Sequence, residues 1–222
     1  MTKLMTKDLF SLEKLPLKLH PLLDAAYPWE ILKNLDAFVA TIQDQREGKI
    51  HPTAVLEGNI YMHPTAKIGP HAYVEGPAWI GEGASVGHGA YIRGGVVLAP
   101  HAKVGAKTEV KRSLFLYDAK APHLNYVGDS ILGYKVNLGA GVKLANFNNM
   151  GTNIKIEGHA TGLRKLGAML GDEVTLGCNA VTVPGTIIGP RSTVYNCVMV
   201  RGVIAADSIV KLRQDLEIVI KH

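Results

Sequence analysis

Cysteine, aromatic residues and long apolar runs are all scarce in this sequence. Only two cysteines occur among 222 residues, Cys178 and Cys197, and their spacing matches no metal-ligand motif. They are expected to be free thiols, which points to a reducing, cytoplasmic compartment rather than a disulfide framework. The N-terminal stretch MTKLMTKDLFSLEKLPLKLHP scatters charges through its apolar residues, which does not suit a signal peptide. No apolar run is long enough to span a bilayer, so no membrane role is expected. Aromatics make up only 6% of the chain, which argues against a sandwich filled with large rings. The excess of 24 basic over 19 acidic side chains gives a net charge of +5 without any basic run. Nucleic-acid binding is therefore not expected, whereas anionic small substrates would be attracted.

What is abundant is glycine, with 24 residues, in a chain that is 47% hydrophobic. Counting in sixes from Ile50 gives Leu56, Met62, Ile68, Val74, Ile80, Val86, Ile92, Leu98, Val104, Val110 and Leu116, all aliphatic. Alanine stands two residues before many of them, at Ala54, Ala66, Ala72, Ala78, Ala84, Ala90 and Ala102. A strand repeats every two residues and a helix every 3.6, so a strict period of six belongs to neither alone. Such a repeat fits a solenoid in which each hexad supplies one short strand and one corner, and three hexads close a triangular coil.

The phase then slips twice. The first break is expected as a loop over 117–126, after which the pattern resumes at Leu132, Leu138 and Leu144. The second spans about 147–164, before Leu170, Leu176, Ile188, Val194 and Val200. Loops on a rigid scaffold are where sites are usually built. Before the repeat, Pro28 suits a first helical position, and Ile31, Leu32, Leu35, Phe38, Val39 and Ile42 form an apolar stripe. The chain thus divides into a helical cap or linker (1–49) expected to cover one end of the prism, the solenoid (50–202) and a closing segment (203–222).

His123 lies within the first break, close to Tyr126 and Asp129, and an imidazole is suited to taking a proton near neutral pH. On residue type alone a structural loop histidine is an equal alternative. The segment KRSLFLYDAKAPHLNYVGDSILGYKVNLGAGVKLANF resembles the acetyltransferase half of the bifunctional N-acetylglucosamine-1-phosphate uridyltransferase/glucosamine-1-phosphate acetyltransferase family. NIKIEGHATGLRKLGAMLGDEVTLGCNAVTVPGTIIGP resembles the archaeal-type sugar-1-phosphate nucleotidylyltransferases that carry the same domain. The resemblance covers roughly residues 28–202.

This resemblance implies an all-β fold, a left-handed parallel β-helix of hexapeptide repeats with a short N-terminal helical segment. It implies direct acetyl transfer from acetyl-CoA to the amine of a hexosamine-1-phosphate, glucosamine- or galactosamine-1-phosphate, in UDP-N-acetylhexosamine biosynthesis. In that pattern His123 matches the general base and Asn146 the asparagine beside the amine and thioester. Arg93, Lys111 and Lys165 match phosphate-binding positions, while Tyr126 and Asn137 match sugar contacts. Cys178 and Asn196 match positions along the coenzyme arm, and a homotrimer with sites between subunits is implied. No metal is implied. Phe147 and Cys178 depart from the bacterial pattern, which has tyrosine and serine there. No glycine-rich nucleotide-binding loop followed by lysine is present, so nucleotidyl transfer is not expected. The alternatives are an acetyltransferase for a nucleotide-linked amino sugar, or a non-catalytic β-helix subunit partnering a separate nucleotidyltransferase. A γ-type carbonic anhydrase shares the His-Pro-Thr-Ala turns of His51 and His63 but needs a further histidine pair that is absent from the sequence.

Overall fold

The hexads form the coils of a three-faced parallel solenoid, seen in a computed structural model that describes residues 5–221. Strands of two to four residues lie in three parallel sheets of nine, nine and eight strands, and, apart from one two-stranded hairpin, every third strand along the chain enters the same sheet. We call these the first face (for example Ala78–Ile80), the second (Lys120–His123) and the third (Tyr126–Gly128). In the early coils partners sit eighteen residues apart, as in Lys49↔Lys67 and Val55↔Tyr73. The aliphatic residue of each hexad points inward, and the alanines two before it are buried except for the partly buried Ala54. Each interior Val, Leu or Ile contributes about 1.5–3 kcal/mol by leaving water.

The phase slip takes a form the sequence did not suggest. Leu116 does not continue the inward column; Phe115 does, stacked between Leu98 and Leu132. Ala121 and Val127 then follow inward at regular steps of six. The stretch 117–126 is therefore ordinary coil, with strands at Lys120–His123 and Tyr126–Gly128, and not a loop. The missing residues are lost at two corners, one after Val110 and one after Val127, where the step shortens to five. Partners there are seventeen apart, as in Val97↔Leu114 and Val110↔Val127. The second break is a true excursion: Ile131 pairs with Met169, and the intervening segment carries an antiparallel hairpin of Lys155–Ile156 with His159–Ala160.

The N-terminal segment lies along a side of the prism, not over its end. The helix Ile31–Val39 buries Ile31, Leu32, Leu35 and Val39. Its apolar cluster includes Val97, Leu114, Ile131 and Ile187, the outward-facing residues of the first face. These are fully buried, packed in one cluster with the N-terminal segment and with Ile154, Ile156 and Leu166 of the later excursion. At the other terminus Val203–Ile204 and Ile209–Val210 add to the first and second faces. Residues 211–221 have no regular secondary structure, and Leu216 and Ile218 are exposed. Among the described residues no helix is long and apolar enough to cross a membrane.

Among the described residues, one position of the inward aliphatic column is polar. Thr182 occupies the inward site between Leu144 and Val200, and its hydroxyl has no hydrogen-bond partner among the described residues. A buried hydroxyl without a partner costs about 1–3 kcal/mol. Thr182→Val, of nearly the same shape, is expected to raise the melting temperature by roughly 2–4 °C or more. A melting curve at or below that of the unaltered chain would show that the hydroxyl is satisfied.

Candidate functional site

Every departure from the six-residue step after Ile50 falls at one corner, where the third face turns into the first. The two shortened steps, the 147–164 excursion and the short final step from Val200 to Ile204 all lie there. Arg93 leaves the strand Tyr91–Ile92 at this corner and Lys111 ends the strand Glu109–Lys111 one coil on. Asn146 follows two coils later, just past Lys143–Leu144. The excursion returns with a bridge between Phe147 and Lys165. Arg93, Lys111, Tyr126, Asn146 and Lys165 consequently line one open cleft of about 620 Å³, together with Phe147 and Arg164.

The cleft is cationic, and its charges interact. Arg93 pairs with Glu109 at 3.1 Å, which holds its guanidinium more firmly protonated. Burial lowers the Lys111 pKa; the Asp129 charge opposes this, while Lys165 and Arg93 add to it. The Tyr126 hydroxyl is pushed up, first by burial and then by the Glu109 charge. It donates to Asn146 Oδ1 at 3.4 Å. Both side chains cross over Gly128, where an added Cβ would lie 2.5 Å from Asn146 Nδ2 and 2.8 Å from the Tyr126 oxygen. Glycine is thus required by close approach, because any larger residue would lift these two groups off the floor of the cleft.

His123 lies elsewhere. It sits at the corner between the second and third faces, two residues past the inward Ala121, and is exposed. Its turn is clamped by Asn125, which is 3% exposed, accepts the His123 N–H on Oδ1 and donates from Nδ2 to the Gly139 carbonyl. The imidazole itself has no hydrogen-bond partner among the described residues. Cys178 and Asn196 occupy the same column, two residues past the inward Leu176 and Val194. Asn196 Oδ1 accepts the Cys178 N–H at 2.9 Å. Asn137 is exposed on the second face, between Lys120 and Thr175, outside the cleft.

Apart from Asn137, the sequence-named residues thus form two groups on opposite edges of the third face. Phe147, Arg164 and Asp129 were not singled out as site residues. Adjacency to Lys165 was a sequence signal for Arg164 alone; its guanidinium lies 5.7 Å from the Phe147 ring centroid. His51 and His63 bond the hydroxyls of Thr53 and Thr65 and close turns. Among the described residues no group of three or more His, Cys, Asp or Glu could hold a metal ion.

A family model described as the GMPPB C-terminal domain matches residues 74–204. The bifunctional protein GlmU of Methanococcus maripaludis strain C7 is 45% identical over 202 residues, which is 90% of this chain and 49% of that protein. A bifunctional sugar-1-phosphate nucleotidylyltransferase/acetyltransferase of Sulfurisphaera tokodaii is 41% identical over 95 residues, 41% of this chain and 24% of that protein. The chain spans at most about half the length of these curated relatives. Among solved structures, a UDP-N-acetylglucosamine acyltransferase from Campylobacter jejuni is similar at 19% identity and a TM-score of 0.32, over 73% of this chain and 69% of that one.

Proposed function

The chain belongs to the GMPPB C-terminal domain family as a GlmU-like acetyltransferase domain, and from that premise we propose that it acetylates the amine of a hexosamine-1-phosphate with acetyl-CoA. The observation that carries this reading is the convergence of Arg93, Lys111 and Lys165 with Tyr126 and Asn146 in one cleft. Fixed cations suit a phosphate dianion, and a hydroxyl beside an amide suits a sugar. In this reading the phosphate binds the cationic wall and the amino group faces Asn146.

Transfer is direct. The amine nitrogen attacks the thioester carbonyl and His123 takes the proton released as the C–N bond forms; the tetrahedral intermediate then collapses, the C–S bond breaks, and His123 returns that proton to the leaving sulfur to give the CoA thiol. Neither cysteine is needed as a nucleophile. His123, Cys178 and Asn196 share one edge of the third face and the cleft lies on the other, so a neighbouring chain supplies His123 to the cleft. A homotrimer closes such an arrangement, with acetyl-CoA lying between adjacent prisms along the Cys178–Asn196 column.

The test is a thiol-release assay with acetyl-CoA and glucosamine-1-phosphate, galactosamine-1-phosphate and UDP-linked amino sugars. Release with either sugar-1-phosphate supports the proposal, release only with the UDP sugars moves the acceptor to a nucleotide-linked amino sugar, and release with none overturns the activity. Lys111→Met is expected to raise KM for the sugar phosphate by about tenfold or more, the scale of a lost charge-assisted contact. It is also expected to leave the unliganded melting temperature unchanged or higher, because burial and neighbouring cations disfavour the charged lysine. An unchanged KM would remove Lys111 from the phosphate site.

A further inference from the structure

The two shortened corners place a second network directly behind the cleft. Arg112 and Asp129 stand at equivalent points of consecutive coils, both with left-handed backbone. Arg112 grips the N-terminal helix through a two-pronged pair with Asp36, Nε to Oδ1 at 2.8 Å and Nη2 to Oδ2 at 2.6 Å. Its third donor, Nη1, reaches Asp129 Oδ1 at 3.1 Å. The Asp129 carboxylate is 2% exposed, against 24% for Arg112 and 49% for Asp36. The other oxygen of Asp129 accepts Nδ2 of Asn146 at 2.5 Å. A line of charge-assisted bonds therefore runs from the exposed surface of the helix to the amide that lines the cleft.

A carboxylate this buried needs compensation, which Arg112 supplies. With the charge held there, the Asn146 amide has one favoured orientation. Its NH₂ turns to Asp129, and its carbonyl oxygen turns to Tyr126 and the cleft. We propose that Asp129 is a positioning residue that fixes the Asn146 amide, and that the Asp36–Arg112 pair extends this control to the N-terminal helix. The inference rests on Asn146 acting at the reacting amine, as read above. Its consequence is that the N-terminal segment is more than a cover for the first face: it takes part in setting the geometry of the cleft.

The experiment uses the full chain with Asp129→Asn, Asp36→Asn, Asn146→Ala and the Asp129→Asn/Asn146→Ala double variant. Asp129→Asn is expected to lower kcat by about tenfold or more while KM for the sugar phosphate changes less than about threefold, since misplacing a reacting partner affects the chemical step most. Asp36→Asn, on the surface and nearly isosteric, is expected to lower kcat by about threefold with a similar KM; it keeps the test open if Asp129→Asn does not fold. The double variant is expected to be no slower than Asn146→Ala alone, because both changes break one interaction. Additive losses, or wild-type kcat in both single aspartate variants, would overturn the proposal. An independent readout is hydrogen exchange of the Asn146 side-chain NH₂ in asparagine-labelled protein, slow in the unaltered chain and faster in both aspartate variants. Equal exchange in all three overturns the proposal even if the enzyme is active. If the unaltered chain releases no CoA, the proposed activity fails, while the exchange data still decide whether Asp129 and Asp36 hold the amide.

Discussion

Alanine in place of His123 is expected to lower kcat by about 10²-fold or more, the usual scale for losing a positioned general base. The same change is expected to leave the melting temperature almost untouched. His123 is exposed and its ring has no hydrogen-bond partner among the described residues, so truncation opens no cavity and strands no polar group. Surface changes of that kind stay within about 0.5 kcal/mol. The turn is held by Asn125 through backbone contacts that survive the substitution. Loss of turnover without loss of stability is thus the signature sought, read by the thiol-release assay beside a thermal melt. An alanine variant as fast as the unaltered chain would remove His123 from the role of base and direct attention to the groups in the cleft. A variant that melts early would mean that the ring, besides acting as base, contributes packing where it enters the neighbouring chain's cleft.

The solenoid was legible because its physics is periodic. An inward residue every six positions and small residues at corners follow from a narrow core, and Ile68, Val86 and Val104 stack as the count in sixes requires. The count failed at Leu116, where a five-residue step moved the column to Phe115. An aliphatic residue at the sixth position concealed the change, because Leu116 is itself buried, but outward, beneath the N-terminal segment. The supposed loop around His123 was the cost of that misplacement. Arg93, Lys111, Tyr126, Asn146 and Lys165 were legible as a group through family resemblance, and the fold gathers them into one cleft. Asp129 was not legible as a partner of Asn146. Its contact depends on seventeen-residue coils that align the corners of successive turns, and a sequence read in sixes contains no such alignment.

The second large effect concerns the column beneath His123. Gly69, Gly87 and Gly105 follow the inward residue of the second face in successive coils, and Pro122 takes that place in the next. A Cβ added at Gly69 would approach the Gly87 carbonyl carbon to 3.1 Å, and one at Gly87 would approach that of Gly105 to 2.9 Å. At Gly105 it would fall onto the Pro122 carbonyl group itself. None of these can yield by side-chain rotation, because the neighbour in each case is backbone. Alanine at Gly105 must displace the coil that carries Pro122 and His123, at an expected cost of about 2 kcal/mol or more. That corresponds to a melting temperature lower by roughly 4–8 °C for a chain of this size. Turnover should fall as well, since His123 is the residue after Pro122 and moves with it. The expected order of stability loss is Gly105→Ala, then Gly87→Ala, then Gly69→Ala, measured by thermal melts under one condition. If Gly69→Ala proved as damaging as Gly105→Ala, close stacking would not explain the column. A stable Gly105→Ala with normal turnover would mean that the coils can separate there without moving His123.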